Sequence, residues 1–363
     1  MAAVGAAVLL TVGAIAAPQL ARIRLISESE AATGTCPVGL LDRITVDVPD
    51  GELISRLAPE NREDVAVYFM QEQLSDFPAT AHNSIRMVYY ATDGSVRVTE
   101  FSSNATNPCS GARMAAGDLW GSYDLRSYVS DRAANVPDKA NISVMRHVGN
   151  ISQEQAALLY ARMTAAAMAI NGEHGRGRPY YLFGVTGATV NSNAGYNTVA
   201  RYAHLHNRAA DYGLQNVNLY GGTWAPGGNT NLLNGDEREQ ADRITADILA
   251  SFEPGTAFRD IIAVQRNFWP TTQATQVVLP AEGTTWNQAA GMSRTYAAER
   301  ARYRRCINTL RERYPDQYSE VNGSVVADYP HASARADRTC GVMPAERPDF
   351  AHRVVALGDT TLS

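Results

Sequence analysis

At Ser152 the chain changes rhythm, and that change constrains its architecture more than any other feature of the sequence. "SQEQAALLYARMTAAAMAI" (152–170) repeats apolar residues at helical spacing, with Ser152 placed to cap its start. "PYYLFGV" (179–185) follows, a continuous apolar run of the kind that sheets bury on both faces. A helix is then predicted over 196–212, a strand at "NVNLYGG" (216–222), a helix over 236–252 and a strand at "DIIAVQRNF" (260–268). Asp236 and Glu239 are spaced as a capping box, and Ala241, Ile244, Ile248 and Phe252 recur on one helical face. Strand, helix, strand, helix, strand predicts parallel pairing through crossovers. The expected fold class is therefore α/β, with a parallel-sheet core over about 179–266.

That core is preceded by a region, 36–150, that reads as mixed α+β. "DRITVDV" (42–48) alternates like a strand, and "PENREDVAVYFMQEQL" (59–74) reads as a helix opened by Pro59. "SIRMVYYATDGSVRVTEF" (84–101) reads as a β-hairpin, two alternating runs about Asp93-Gly94, a dipeptide suited to a type I′ turn. "NISVMRHV" (141–148) is a further short strand. A long helix over 286–314, with a stripe of Met292, Tyr296, Tyr303, Ile307, Leu310 and Tyr314, completes a core domain of 151–315. Residues 316–363, rich in Pro, Gly, Asp and Arg, read as an irregular tail.

The first 21 residues carry no charged side chain and are followed by Arg22 and Arg24. Val4–Ala17 has the length of a signal-peptide core, and Ala14-Ile15-Ala16 offers small residues for cleavage. A basic segment ahead of it is missing, and the same 21 residues are long enough to be retained as a membrane anchor. Cysteine usage points the same way: Cys36, Cys109, Cys306 and Cys340 are even in number, widely spaced and free of Cys-x-x-Cys pairs. Of the three possible connectivities, Cys36–Cys109 with Cys306–Cys340 closes one loop in each half of the chain. The expected location is secreted or periplasmic, or membrane-anchored with an exported domain. A formal net charge of -5 argues against a nucleic-acid partner. Lys139 is the only lysine, so the cationic charge is almost wholly guanidinium.

In open α/β sheets, ligands bind beyond the carboxyl ends of the strands. On the expected fold that edge gathers Thr186, Asn191, Asn193, Thr223, Trp224, Asn229, Asn267 and Trp269. Amides and hydroxyls beside indole faces suit a small polar or glycan ligand, and turn-forming chemistry accounts for the same composition. Asp236, Arg266 and Glu173 are the weak candidates for a catalytic group. "GVTGAT" (184–189) lacks the Gly-x-Gly-x-x-Gly spacing of a dinucleotide loop, and no zinc-ligand or nucleophile-elbow spacing occurs, so no cofactor or metal is expected. On the 196–212 helix, His206 falls in the apolar face and His204 on the opposite, solvent side. The arginines that surround the 286–314 stripe read as a solvated surface.

Together these features predict an exported envelope or extracellular protein. It is either a hydrolase acting on a carbohydrate-like substrate or a non-catalytic binding or structural subunit of a surface assembly. Whether it is an enzyme, and in what oligomeric state, is left open by the residues.

Overall fold

The computed structural model describes residues 54–74, 77–106, 124–134, 142–172, 177–180, 190–216, 230–266, 276–321, 324–342 and 351–356. The chain divides into two compact units, one holding the described residues up to Thr245 and the other those from Ala246 to Val355.

The first unit is built on a six-stranded sheet: β1 (Asp64–Leu74), β2 (Phe77–Tyr90), β3 (Val96–Thr106), β4 (Asp124–Ala133), β5 (Ile142–Ser152) and β6 (Arg178–Pro179). Its order is β5-β1-β2-β3-β4-β6, and every pairing is antiparallel. This overturns the parallel-sheet core expected over 179–266. The sheet is made almost entirely before Ser152; of "PYYLFGV", Pro179 pairs in β6, Tyr180 does not, and 181–185 lie outside the described residues. "DIIAVQRNF" is not a strand either: Phe258–Gln265 is helical. "NVNLYGG" has only Asn216 within the described residues, and "DRITVDV" lies wholly outside them. The opposite error falls at 59–74. "DVAVYFMQEQL" is strand β1, whose Val65, Val67 and Phe69 share one face with Ile85, Met87 and Tyr89 of β2.

The hairpin is where the sequence placed it. β2 and β3 pair from Ser84↔Ser102 to Tyr90↔Val96. Its turn differs from the type I′ expected. Asp93 does not adopt a positive φ, whereas Gly94 does at +80°. Gly94 N–H bonds Ala91 O at 2.9 Å and Ala91 N–H bonds Ser95 O at 2.9 Å, a three-residue loop that ends in a glycine bulge.

One face of this sheet carries the helices. α1 (Gln153–Asn171) starts at Ser152, the N-cap its sequence predicts, which forms a capping box with Gln155, and every residue from Met163 to Asn171 is buried. Its alanines keep it thin enough to be surrounded. α2 (Ser192–Tyr202) lies beside it, capped by Asn191. Phe101 of β3 meets Tyr160 of α1 edge-on at 6.0 Å, and Phe69 of β1 meets Tyr196 of α2 at 5.9 Å. Along its outer edge β4 is paired by β6 only at Asp124 and Leu125. Beyond them Asn171 acts as a substitute strand: its Oδ1 accepts from Ser127 N–H at 2.7 Å and its Nδ2 donates to Ser127 O at 2.9 Å.

α3 (Gly235–Ala250) begins in the first unit and ends in the second. Its cap is Asn234 with Glu237, reciprocal bonds of 2.9 Å each, two positions ahead of the Asp236 and Glu239 expected. The second unit holds α4 (Phe258–Gln265), β7 (Gln276–Pro280), α5 (Trp286–Arg313), the hairpin β8 (Tyr318–Val321) and β9 (Ser324–Ala327), α6 (Pro330–Cys340) and β10 (Ala351–Ala356). Residues 316–363 are thus not an irregular tail throughout. Ile307, Leu310, Tyr318, Ala332 and Ala336 form a small core of their own, and Cys306 and Cys340 are joined by a disulfide beside it. Cys36 and Cys109 lie outside the described residues. Among the described residues no helix is long and apolar enough to cross a membrane.

Candidate functional site

A cleft of about 330 Å³ opens in the first unit at the carboxyl end of α2. Three elements meet there: the last turn of α2 with the chain that leaves it, the segment that enters α3, and the first turn of α3 itself. Arg201, His204 and Arg208 come from the first, Asn231 and Leu233 from the second, Arg238 from the third. Thr198 and Tyr202 form its inner side and are already satisfied. Thr198 donates to Ala194 O at 2.8 Å and accepts from Leu232 N–H at 2.9 Å, and Tyr202 donates to Asp242 at 2.7 Å. Burial raises the Tyr202 hydroxyl above the usual phenol range, so it stays neutral.

The charged groups are less evenly matched. Arg208 is paired with Asp211 at 2.8 Å. Arg201 gives its Nε to Asn197 at 3.2 Å and meets no carboxylate among the described residues. Arg238 has no side-chain partner among the described residues, although its backbone N–H closes the first turn of α3. Behind them Arg162 of α1 donates to Tyr212 at 2.6 Å and to His204 Nδ1 at 3.4 Å. His204 is held below the ordinary histidine value by its partial burial and then by the guanidiniums of Arg162 and Arg208, so the ring is neutral near pH 7. Guanidiniums in surplus over carboxylates, on a concave surface, form a site for an anion.

Three other polar clusters of this unit pair their groups internally. Arg86 and Glu100 form a buried pair at 3.1 Å on the sheet face opposite α1 and α2. Asp131 binds Arg97 at 2.6 Å and accepts from Tyr89 at 2.9 Å. On the same face as Arg86, His82 Nε2 and Ser102 Oγ lie 2.7 Å apart, both buried, with Asn104 donating to Ser102 Oγ at 3.2 Å. Among the described residues no three His, Cys, Asp or Glu side chains stand close enough to hold a metal ion.

The residues singled out from the sequence do not form this site. Asn191 is buried as the cap of α2, its side chain accepting from Ala194 N–H at 3.0 Å. Asn193 is buried and accepts from Asn83 N–H at 3.2 Å, which ties α2 to β2. Asp236 is exposed in the first turn of α3, and Arg266 caps α4 in the second unit. Glu173, Thr186, Thr223, Trp224, Asn229, Asn267 and Trp269 lie outside the described residues.

What was missed is the end of α2. The helix stops at Tyr202, not at 212. A short 3-10 turn over Ala209–Tyr212 replaces its last turns. His204 therefore turns into the cleft and does not continue the solvent face of a helix. The usual glycine stop signal stands only at Gly213, nine residues later.

No family model, no curated protein and no solved structure matches this chain.

Proposed function

We propose that the chain is a binding protein for a small anionic ligand, taken up in the cleft at the end of α2. The supporting observation is the charge imbalance there. Arg201, Arg208 and Arg238 line the cleft, and only Arg208 has a carboxylate bonded to it among the described residues. A guanidinium offers paired donors in a fixed fork, which suits the oxygens of an anion better than the hydroxyls of a neutral sugar. The cleft lies at the lower end of the size range of small-molecule sites. The expected glycan ligand at parallel strand ends has no such edge to bind. Hydrolysis would require a nucleophile and a base at the ligand, whereas Ser102 and His82 sit on the sheet face opposite α2. Binding is therefore favoured over catalysis.

Export belongs to the same proposal. The Cys306–Cys340 disulfide suits an oxidising compartment, and residues 1–21 would serve as a leader or anchor. N-terminal sequencing of the protein recovered from its natural source distinguishes the two.

The ligand reading is tested by calorimetric titration of the full chain with inorganic phosphate, citrate and glucose at low ionic strength. Phosphate or citrate should bind, with affinity falling as salt is added, and glucose should not. The double variant Arg201→Gln/Arg238→Gln should lose at least tenfold in affinity at unchanged melting temperature. Binding of glucose alone, or anion binding that survives the double variant, sinks the reading.

A further inference from the structure

His204 closes α2 in a backbone conformation that its side chain does not favour. Its φ is +67°, the single positive value outside glycine among the described residues. Leu205 N–H reaches back to Ala200 O at 2.8 Å, and His204 N–H to Arg201 O at 3.1 Å, the paired bonds of a left-handed helix stop. Glycine fills that position without steric conflict, and a residue with a Cβ does not. Glycine would serve the stop best, and histidine is one of the few side chains that tolerate it, so the stop permits an imidazole here without calling for one.

The cleft does. His204 lines it, and Arg162 donates to Nδ1 at 3.4 Å. A guanidinium has only donors. Nδ1 is therefore the acceptor, and the neutral ring carries its proton on Nε2, the nitrogen left for a ligand. The groups that face the ring are Arg162 from α1, Arg208 and Asp211 from the segment after α2, and Arg238 from α3. Asp211 is the one anion among them, with its Oδ2 3.9 Å from Nδ1.

We propose that the anion taken by the cleft is the dianion of a phosphomonoester, and that His204 is the residue that selects it, donating from Nε2 to a phosphoryl oxygen while the guanidiniums hold the others. This rests on the anion-binding reading above. Charge supports the choice. Arg162, Arg201, Arg208 and Arg238 line the cleft or bond to residues that do, and so do two carboxylates, Asp211 and Asp242. The surplus of two positive charges matches a dianion rather than a phosphodiester. Shape supports it as well. A phosphoryl group presents three strong acceptor oxygens in a cone, against the two coplanar oxygens of a carboxylate. Three separate elements supply donors around this cleft, more directions than one carboxylate plane can use. Leu233 gives the organic part of the ester an apolar wall.

Binding should also draw in a proton. Two negative charges arriving beside His204 offset the guanidiniums that add to burial in keeping it neutral, so part of the population protonates near pH 7.

The experiment is isothermal titration of the full chain at pH 7 with glycerol 2-phosphate, dimethyl phosphate and succinate, in buffers of different ionisation enthalpy. Glycerol 2-phosphate should bind at least tenfold tighter than the other two, with net proton uptake. His204→Gly should keep or raise the melting temperature, lose about tenfold in affinity for the monoester and lose the proton uptake. His204→Asn, which tolerates the left-handed backbone and keeps a donor, should recover part of the affinity without the proton uptake. Succinate or dimethyl phosphate binding as tightly as the monoester overturns the proposal but leaves an anion site. So does His204→Gly binding like the parent. Failure of all three probes to bind overturns the anion-binding reading itself.

Discussion

At the scale of single residues, two histidines two positions apart meet the same electrostatic condition by different routes. Burial and the guanidiniums of Arg162 and Arg208 hold His204 below its ordinary value. Burial and then Arg201 do the same to His206, whose Nε2 has no hydrogen-bond partner among the described residues. The sign follows directly. Both groups bind protons less readily in the folded chain than in the unfolded one, whose histidines titrate near about 6.5. The unfolded state therefore takes up more protons as pH falls through that value, and stability declines with it. The loss begins near the unfolded value and is complete once pH drops below the lowered folded values. Urea titrations at pH 5, 6 and 7 should show unfolding free energy rising with pH. His204→Asn/His206→Asn should flatten that rise. A parent whose stability is level or falling across this range contradicts the assignment. The helical wheel puts His206 on the apolar face of a 196–212 helix, but the chain has left α2 by Tyr202, so its partial burial comes from the turn that follows and not from a helix face. Nor could the wheel show the role of His204, because it depends on where α2 stops, and a histidine stands where the sequence would announce a stop with glycine.

Whole elements were legible where local chemistry and length agreed. Ser152 and Gln155 announce α1, Thr285 and Gln288 form the same box at α5, and two alternating runs announce the β2–β3 hairpin. Short apolar runs were not. Asp260–Val264 is as apolar as a buried strand, yet Phe258, Ile261 and Ile262 sit at helical spacing and are all buried in α4. Runs of this length cannot be assigned by periodicity alone. β1 was misread for the opposite reason. Both its faces are covered, so Ala66 and Met70 are as buried as Val65 and Val67, and the alternation that marks a half-exposed strand disappears. Once the strands are known to be antiparallel, the crossing of α2 over β3 becomes a close contact to account for. A Cβ at Gly195 would stand 2.5 Å from Ser103 Oγ and 2.6 Å from Ser103 Cβ. Ser103 cannot yield easily, because its hydroxyl is bonded to Ser127 Oγ at 2.7 Å in the next strand. Gly195→Ala should therefore destabilise the first unit by about 1–3 kcal/mol despite the better helix propensity of alanine. The double variant with Ser103→Gly, which clears both clashing atoms, should recover much of it. Chemical denaturation reads both. A Gly195→Ala variant as stable as the parent would mean that α2 is not seated as close to β3 as described.

At the scale of the molecule, the two units draw their stability from different sources. The first has a large sheet with a buried helix against it. In the second, the segment from Tyr303 to Cys340 has, among the described residues, five buried residues in its own cluster, too few to order a hairpin and a helix by burial alone. The disulfide supplies the remainder. It joins residues 34 apart, between α5 and α6. Closing a loop of that length in the unfolded chain is worth about 3–4 kcal/mol on the chain-entropy estimate. Around it, Arg335 stacks 4.0 Å over Tyr314 and bonds Gln317 at 2.8 Å, and Arg311 meets Glu320 at 2.6 Å, contacts that order the surface but contribute little in solvent. Hydrogen exchange on the full chain should separate the units. In Cys306→Ala/Cys340→Ala, amides of α6 and of β8–β9 should exchange about a hundredfold faster or more, as expected when a local opening loses most of that constraint. Amides of β1, β2 and β3 should keep their protection. The double variant is preferable to a reductant, which would also reach any bond made by Cys36 or Cys109. Equal loss of protection in both units would show that they unfold as one, and that the disulfide stabilises the whole chain rather than the end it closes.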